Sequence, residues 1–158
     1  YHIPVMTGVG FSLDLLERLK AKYPTRFAGI KDSSHDEAFA TAVGQRFGKE
    51  MLVLNGTDSY FHHALKNNAQ GAITAPANLI SDNLREVWDL HQAGKDPSEV
   101  QAKVTEQRHF LEQYSPIAPI LKGLLHKVHG LPHWEVRAPL ENAGEKTIED
   151  AAEKFLKL

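Results

Sequence analysis

The sequence contains no cysteine in its 158 residues. This absence excludes disulfide bonds, zinc sites built on thiolates and any mechanism that uses a cysteine nucleophile. It is compatible with a reducing compartment, and we expect a cytoplasmic protein. Nine histidines are present, but His126 and His129, which have helical spacing, lack a carboxylate at a matching position. We therefore expect no metal site and no cofactor.

The chain also lacks a strong net charge and long apolar runs. Its 18 Lys and Arg residues against 20 Asp and Glu give a formal net charge of -2. This balance gives no reason to expect nucleic acid as a partner. No apolar stretch approaches the roughly 20 residues that a transmembrane helix needs, so we expect no membrane partner. Hydrophobic residues still make up 42% of the chain, enough for the core of one domain.

The first half of the chain alternates helix-like and strand-like segments. Apolar residues at helical spacing, with capping signals such as Ser34-x-x-Glu37, mark the helices. Short apolar runs without alternation indicate strands covered on both faces. Helices are predicted over 12–22, 34–47 and 59–68, and strands over 27–30, 51–54 and 71–75. This rhythm predicts parallel βαβ units.

After Asn78 the strand-like segments stop and only helical patterns follow. Pro97 is expected in the first turn of one of these helices, where its missing N–H is tolerated. Helices are predicted over 81–94, from the 96–99 capping segment to about 111, over 117–128 and over 147–158. The sequence thus reads as an α/β half followed by a helical half.

Lys31 stands at an unusual place, at the end of the apolar run 27–30 and directly before Asp32-Ser33-Ser34. Lysine is almost never fully buried unless it is paired. Burial lowers the pKa of a lysine and gives a neutral amine that can attack a carbonyl carbon. Lys31 is therefore a candidate Schiff-base nucleophile. The alternative is a strand-end lysine that extends to solvent along its apolar stem, and the residues alone leave both open.

Five markers, in order along the chain, carry a family resemblance. They are Tyr1-His2-Ile3-Pro4 with Thr7-Gly8, Gly29-Ile30-Lys31-Asp32-Ser33-Ser34, Asn55-Gly56-Thr57-Asp58, Gly71-Ala72-Ile73-Thr74 with Asn78, and Pro119-Ile120-Leu121-Lys122 with Val136-Arg137-Ala138-Pro139-Leu140. They resemble the C-terminal half of the dihydrodipicolinate synthase / N-acetylneuraminate lyase family of (β/α)8-barrel lyases. The first marker resembles the family's Tyr-Asn-x-Pro…Thr-Gly segment, and the second resembles its Schiff-base lysine strand.

This resemblance implies an α/β fold that is the C-terminal part of a (β/α)8 TIM barrel. Residues 1–80 would be the partial barrel with the Schiff-base lysine strand. Residues 81–158 would be the last barrel helix and a C-terminal helical region.

The resemblance also implies roles for five residues. Lys31 matches the lysine that forms an imine with a 2-oxo acid, typically pyruvate, and Tyr1 matches the tyrosine whose hydroxyl shuttles protons. Gly56 and Ile73 match positions near bound pyruvate. Asp58 matches a position that in some members touches the hydroxyls of a sugar-acid substrate, and a turn-closing role for it is equally open.

Departures from the family narrow the expected substrate. Met6 stands where dihydrodipicolinate synthases carry an arginine for the second substrate's carboxylate, and a methionine cannot form that bidentate ion pair. Ser59 and Ala75 stand where N-acetylneuraminate lyases carry a glutamate and a serine that hold sugar hydroxyls. We therefore expect a class I lyase for pyruvate or a 2-keto-3-deoxy sugar acid, by aldol cleavage, condensation or dehydration. Dihydrodipicolinate synthase proper is an alternative.

The resemblance further implies a partner, the N-terminal half of the barrel. A whole barrel of this kind takes about 250 residues. In the family the first half supplies a threonine pair for the pyruvate carboxylate and a second tyrosine, and neither is found in this chain. We expect this chain alone to be poorly folded and inactive toward pyruvate, because a half-barrel leaves sheet edges open.

Two expectations concern the molecule as a whole. By family analogy it would be a homo-oligomer, commonly a tetramer, acting on a small 2-oxo acid. The competing hypothesis from another class is a non-catalytic barrel fragment or interaction partner.

Overall fold

The computed structural model describes residues 1–158 and contains one parallel sheet and eight α-helices. Its strands are β1 (Gly29–Asp32), β2 (Leu52–Asn55) and β3 (Gly71–Ala72), and they pair in that order. The register places Lys31 beside Leu54, and Asn55 beside Ala72. The predicted parallel βαβ units are confirmed, and the carboxyl ends of the strands lie at one edge of the sheet.

The strands begin and end at other residues than the apolar runs suggest. The first strand was predicted over 27–30 but runs from Gly29 to Asp32. The reason is a backbone partner from the start of the chain: the His2 N–H donates to the Lys31 carbonyl at 2.9 Å, and the Ser33 N–H donates to the His2 carbonyl at 2.8 Å. Pairing partners decide where a strand ends, and an apolar run cannot show them.

The first half contains four α-helices and a short 3-10 turn. They are α1 (Pro4–Thr7), α2 (Leu13–Lys22), α3 (Glu37–Phe47) and α4 (Phe61–Lys66), the last preceded by the turn Asp58–Tyr60. Helix α2 begins as predicted, because the Ser12 side chain accepts a hydrogen bond from the Leu15 N–H at 3.1 Å. The helix expected over 59–68 is shorter, and Asn68 adopts a positive φ of 64° just after it.

The capping box predicted at Ser34-x-x-Glu37 is wrong. Asp36 caps α3 by accepting a hydrogen bond from the Phe39 N–H at 3.0 Å. Ser34 lies in the preceding turn, where its N–H donates to the Asp32 carboxylate and its hydroxyl oxygen accepts from the Asp36 N–H. Because β1 continues through Asp32, the chain still has to turn at Ser34, and the helix starts later.

The second half is helical, as predicted. Its helices are α5 (Ala77–Gln92), α6 (Ser98–Glu112), α7 (Ile117–His129) and α8 (Glu145–Phe155). Helix α5 begins four residues earlier than predicted and is kinked at Ile80, whose φ is -118° and ψ is 23°. Pro97 lies one position before α6 rather than in its first turn, and the Asp96 carboxylate accepts the Ser98 N–H at 3.0 Å. No helix combines the length and apolar character that crossing a membrane requires.

The buried apolar side chains form two clusters. The smaller one packs β1 and β2 against α2 and α3, and consists of Leu16, Ile30, Val43, Phe47, Met51 and Val53. The larger one has 16 buried residues from α4 to α8, including Phe61 and Leu65 of α4. Burying one large apolar side chain contributes about 1.5–3 kcal/mol, so both clusters are substantial. Helix α4 thus packs with the helical region, and the expected division of the chain at residue 80 stays a prediction.

The opposite face of the sheet is open. Strand alternation places Lys31 and Leu52 on this face, because their neighbours Ile30 and Val53 belong to the smaller cluster. Leu52 and Ile73 are each 52% exposed although both are apolar. We call the surface formed by Tyr1, Lys31, Leu52 and Ile73 the open face.

Candidate active site

Lys31 and Tyr1 lie together on the open face. The Lys31 ammonium nitrogen is 4.3 Å from the centroid of the Tyr1 ring, in the geometry of a cation–π contact. The two residues meet because the backbone of His2 pairs with β1, which sets the start of the chain beside the strand that carries Lys31. Lys31 is half-buried, whereas Tyr1 is 60% exposed. The sequence predicted this pair of site residues, and the structure brings them into contact.

The surroundings of Tyr1 favour its ionised form. Burial acts to raise the pKa of the Tyr1 phenol, but hydrogen bonding with the Ser33 and Lys31 side chains and the charge of Lys31 outweigh it. The pKa of Tyr1 therefore lies below its ordinary value. Such a phenol gives up its proton more readily than a free tyrosine does, which suits a group that relays protons.

Gly56 packs directly against the turn that follows Lys31. Its N–H donates to the Asp32 carbonyl at 2.7 Å. A Cβ built on Gly56 would overlap the Ser33 side chain and would lie 2.7 Å from that same carbonyl oxygen. The glycine at this position is therefore required for the ends of β1 and β2 to approach each other.

Ile73 follows β3 and lies at the same edge of the sheet. Its N–H donates to the Asn55 carbonyl at 2.8 Å, so β2 fixes its backbone. Asn55 in turn closes the loop before Asp58: its side-chain oxygen accepts the Thr57 N–H at 3.2 Å and its amide donates to the Thr57 carbonyl at 2.6 Å. Lys31, Tyr1, Gly56 and Ile73 are thus gathered at the carboxyl ends of the strands.

Asp58 is buried, and other side chains already engage its carboxylate. Its side chain is completely buried, and one carboxylate oxygen accepts a hydrogen bond from an Arg108 N–H of α6 at 2.9 Å. The other oxygen accepts the Thr74 hydroxyl. With both oxygens engaged, the carboxylate is not presented to a ligand in this structure. The turn-closing role is the one these contacts support, and contact with a substrate stays a prediction.

Helix α6 holds the Asp58 turn by more than one bond. The Gln101 amide donates to the Asp58 carbonyl at 3.0 Å and its oxygen accepts the His62 N–H at 2.8 Å. Arg108 also donates to Glu112 at 2.6 Å. Burial acts to lower the pKa of Arg108, but its two carboxylate partners outweigh this and raise its pKa above the ordinary value. Arg108 is therefore firmly charged.

Sequence reasoning missed a second pair behind the first. His2 and Asp32 are both buried, and His2 Nδ1 lies 2.8 Å from Asp32 Oδ1. The signal that could have found them is strand alternation, because each residue directly follows a predicted site residue. The exposed fractions of His2 and Asp32 are 4% and 6%. Ionisable side chains are rarely buried to this extent unless they are paired, as these two are with each other.

The three residues that depart from the family pattern, Met6, Ser59 and Ala75, lie on three different segments of the chain. Met6 is 77% exposed on α1, and Ala75 is exposed after β3. Ser59 lies in the 3-10 turn after Asp58 and is half-buried. None of these residues provides a charged group. No group of three or more His, Asp or Glu side chains is gathered closely enough to hold a metal ion.

Comparison with known proteins gives matches over nearly the whole chain. The model of the dihydrodipicolinate synthetase family matches residues 1–157. A DapA-like lyase of Chloroflexus aurantiacus, described as uncharacterized, is 31% identical over 140 residues, which are 89% of this chain and 46% of that protein. N-acetylneuraminate lyase of Gallus gallus is 28% identical over 162 residues, covering 98% of this chain and 51% of that protein.

A solved structure resembles the whole chain. It is dihydrodipicolinate synthase from Agrobacterium tumefaciens, with a TM-score of 0.83 and 28% identity. The match covers 100% of this chain and 52% of that one. The chain therefore spans about half the length of the relatives it matches.

Proposed function

Because this chain belongs to the dihydrodipicolinate synthetase family, we propose that it carries the Schiff-base part of a class I lyase for pyruvate or a 2-keto-3-deoxy sugar acid. Lys31 is the nucleophile and Tyr1 is the proton relay. The observation that supports this most directly is the Lys31 ammonium, 4.3 Å from the Tyr1 ring centroid at the carboxyl ends of parallel strands. In barrels built from such strands, active sites lie at that edge.

The proposed reaction uses the residue types present. The Lys31 amine attacks C2 of the 2-oxo acid, and loss of water from the adduct leaves an imine. The protonated imine draws electrons from the neighbouring carbon, so C3 gives up a proton and forms an enamine. The enamine carbon then adds to an aldehyde, and the reverse sequence cleaves the bond. Tyr1, with its lowered pKa, carries protons to and from these intermediates.

Gly56 and Ile73 are proposed to border the bound 2-oxo acid. Gly56 has no side chain to fill the space beside Ser33, and Ile73 is on the open face. Asp58 is proposed at the rim of this site, and its burial against Arg108 argues that a substrate would reach it only if that ion pair opened.

We also propose that residues 1–80 are the C-terminal part of a (β/α)8 barrel and that 81–158 add its last helix and a helical region. Two observations support this: the chain covers 52% of the Agrobacterium synthase, and its open face leaves Leu52 and Ile73 exposed. In this proposal an N-terminal half covers the open face and supplies the groups that bind the substrate carboxylate. The complete protein would be a cytoplasmic homotetramer, which sedimentation of the full-length gene product would check.

The substrate is proposed to be a 2-keto-3-deoxy acid rather than the substrates of dihydrodipicolinate synthase proper. Met6 supports this, because a thioether cannot pair with the carboxylate of a second substrate. A panel of 2-keto-3-deoxy acids, assayed in parallel with aspartate semialdehyde plus pyruvate, decides the point. Faster turnover of the semialdehyde would show that the alternative is correct.

Proton exchange at the pyruvate methyl group tests the chemistry itself. In D2O, the full-length gene product should exchange the methyl protons of pyruvate through the enamine, as followed by ¹H NMR. Exchange should be lost in Lys31→Ala and kept in Lys103→Ala, which removes an exposed lysine from α6. Exchange at the solution rate with saturating pyruvate would favour the non-catalytic alternative.

A further inference from the structure

A buried histidine–aspartate pair lies directly behind Lys31 and Tyr1. His2 Nδ1 and Asp32 Oδ1 are 2.8 Å apart, and both side chains are more than nine-tenths buried. A carboxylate only accepts hydrogen bonds, so the imidazole Nδ1–H is the donor. The mechanism proposed above uses neither group.

The pair is packed on every side. The His2 ring lies 4.2 Å from the Phe39 ring and 5.5 Å from the Phe11 ring, centroid to centroid. The same Asp32 oxygen also accepts the Ser34 N–H at 3.0 Å. No buried polar side-chain atom in the chain lacks a hydrogen-bond partner. Burying an ionic group costs desolvation free energy, which only a well-defined pairing geometry offsets. The pair is therefore stable only in one specific arrangement of the two segments that carry it.

Those two segments are the ones that carry Tyr1 and Lys31. His2 follows Tyr1, and Asp32 follows Lys31. The two backbone hydrogen bonds of His2, with the Lys31 carbonyl and the Ser33 N–H, join the segments on both sides of Asp32. Because side chains alternate along extended chain, His2 and Asp32 point toward the helices while Tyr1 and Lys31 point to the open face. The same pairing of segments therefore produces both the buried contact and the exposed one.

We propose that His2 and Asp32 are positioning residues that hold the Tyr1 phenol at Lys31, and that this fixes the rate of imine formation. The exposed cation–π contact with Lys31 is too weak on its own to hold a 60% exposed tyrosine in one place. The buried pair supplies the missing constraint. This proposal rests on the proposed function, but its effect on Tyr1 is measurable without turnover.

The variants separate hydrogen bonding from packing. His2→Phe keeps a ring against Phe39 and Phe11 but removes the donor to Asp32. The double variant His2→Phe/Asp32→Asn removes the donor without leaving a buried charge, so a folding defect of the single variant does not end the test. His2→Asn restores a side-chain N–H and is the residue of the family segment that the first marker resembles. His63→Asn is the matched control, because His63 also makes a 2.8 Å side-chain hydrogen bond, to Thr41, away from the open face.

The first readout is imine formation with pyruvate in the full-length gene product. For imine formation with pyruvate, the single variant His2→Phe and the double variant His2→Phe/Asp32→Asn should lower kcat about 10- to 100-fold with little change in the KM for pyruvate. The reason is that a misplaced proton relay slows the chemical step and leaves pyruvate binding unchanged. His2→Asn should recover most of the rate, and His63→Asn should match wild type. A folded double variant with the wild-type kcat would overturn the proposal while leaving the proposed function in place.

The second readout is the pKa of the Tyr1 phenol in the full-length gene product, followed by NMR of ¹³C-tyrosine with Tyr1→Phe to assign the signal. Loss of the pair should raise this pKa toward its ordinary value, and His2→Asn should lower it again. An unchanged pKa in the folded double variant contradicts the positioning role even if wild-type protein forms no imine.

Discussion

At the residue scale, the chemical hypothesis depends on the contact between Lys31 and Tyr1. The Lys31 ammonium lies over the Tyr1 ring. Burial acts to raise the pKa of the phenol, but hydrogen bonding with Ser33 and Lys31, together with the Lys31 charge, lowers it. The influence is mutual in principle, because an ionised phenol would be a proton acceptor within reach of the amine. A lysine and a tyrosine in contact at the end of a parallel strand are thus suited to proton transfer.

Neutralising Lys31 should therefore change the titration of Tyr1. In Lys31→Met the pKa of Tyr1 should rise toward about 10, the ordinary value for tyrosine. With the pKa lowered in the folded wild type, stability should increase as pH rises from the folded pKa toward 10, and this increase should shrink in the variant. ¹³C NMR of labelled tyrosine checks the pKa. Lys22→Met, which removes the cation 5.5 Å from the Tyr23 ring, should leave Tyr1 unchanged.

Gly56 is the residue where a single methyl group should do the most damage to the site. Gly56→Ala should destabilise the fold by about 1–3 kcal/mol, because the new Cβ overlaps Ser33 and the β1–β2 ends must separate. Urea unfolding checks the loss. In the control Gly144→Ala the nearest atom to the new Cβ is 3.8 Å away, so a smaller change is expected. Equal losses in both variants would contradict the steric explanation.

Sequence alone could find some of these residues and not others. Lys31 was suspect from its place at the end of an apolar run, whereas Tyr1 was identified only through the family resemblance. The pairings of His2 with Asp32 and of Asp58 with Arg108 join residues that are far apart in the chain. Strand alternation can mark His2 and Asp32 as buried, but no local pattern shows which residue each of them contacts. Such contacts depend on which segments become neighbours, and only the folded structure shows that.

At the element scale, helix α6 stabilises the turn that follows β2. Arg108 and Gln101 contact the side chain and backbone of Asp58, respectively. Helix α6 belongs to the helical region, and the turn carries Gly56 at its start. Through these contacts with Asp58, the helical region stabilises the turn that places Gly56 in the candidate site.

Breaking this support should be costly. Arg108→Met should destabilise the protein by about 3–5 kcal/mol, because Asp58 is left as a buried charge without its main partner. Arg85→Met is the control: it breaks a 2.9 Å pair with Asp89 in which the side chains are 71% and 52% exposed, so water screens the pair and the loss should be much smaller. Chemical denaturation of both variants measures the difference. If the two losses were the same, the Asp58 ion pair would not be the element that anchors the turn.

Prediction of the elements succeeded for the kinds and order of those it named, but it missed the short helix α1 and failed at the ends of the others. Helix α2 was predicted over 12–22 and runs from Leu13 to Lys22, but α3 is capped by Asp36 instead of Ser34. Serine and aspartate are comparable caps, so the choice was made by β1, which extends through Asp32. The backbone of His2 provides the partner that allows this extension.

At the scale of the whole molecule, the two faces of the sheet have opposite environments. One face is packed by α2 and α3 around the smaller apolar cluster. The open face exposes Leu52 and Ile73 beside Lys31 and Tyr1. The family resemblance of the sequence is confirmed by the match over residues 1–157, and the coverage of about half of each relative accords with an open face that other residues cover.

Because residues 1–158 contain no cysteine, a thiol introduced among them can be located by peptide mapping, which allows a test of this proposal. In Leu52→Cys the thiol should react slowly with a maleimide in the full-length gene product, because the proposed N-terminal half covers the open face. Leu156→Cys, at a position 66% exposed after α8, should react rapidly in the same protein. Equal rapid labelling at both positions would show that the open face stays open and that the partial-barrel proposal is wrong.

The most direct test of the central claim is borohydride reduction in the presence of pyruvate. The full-length gene product should retain one covalently bound pyruvate after reduction, and peptide mapping by mass spectrometry should locate it on Lys31. Lys31→Ala should carry none. An unmodified wild-type protein under saturating pyruvate, or an adduct on another lysine, would contradict the assignment of Lys31 as the Schiff-base nucleophile.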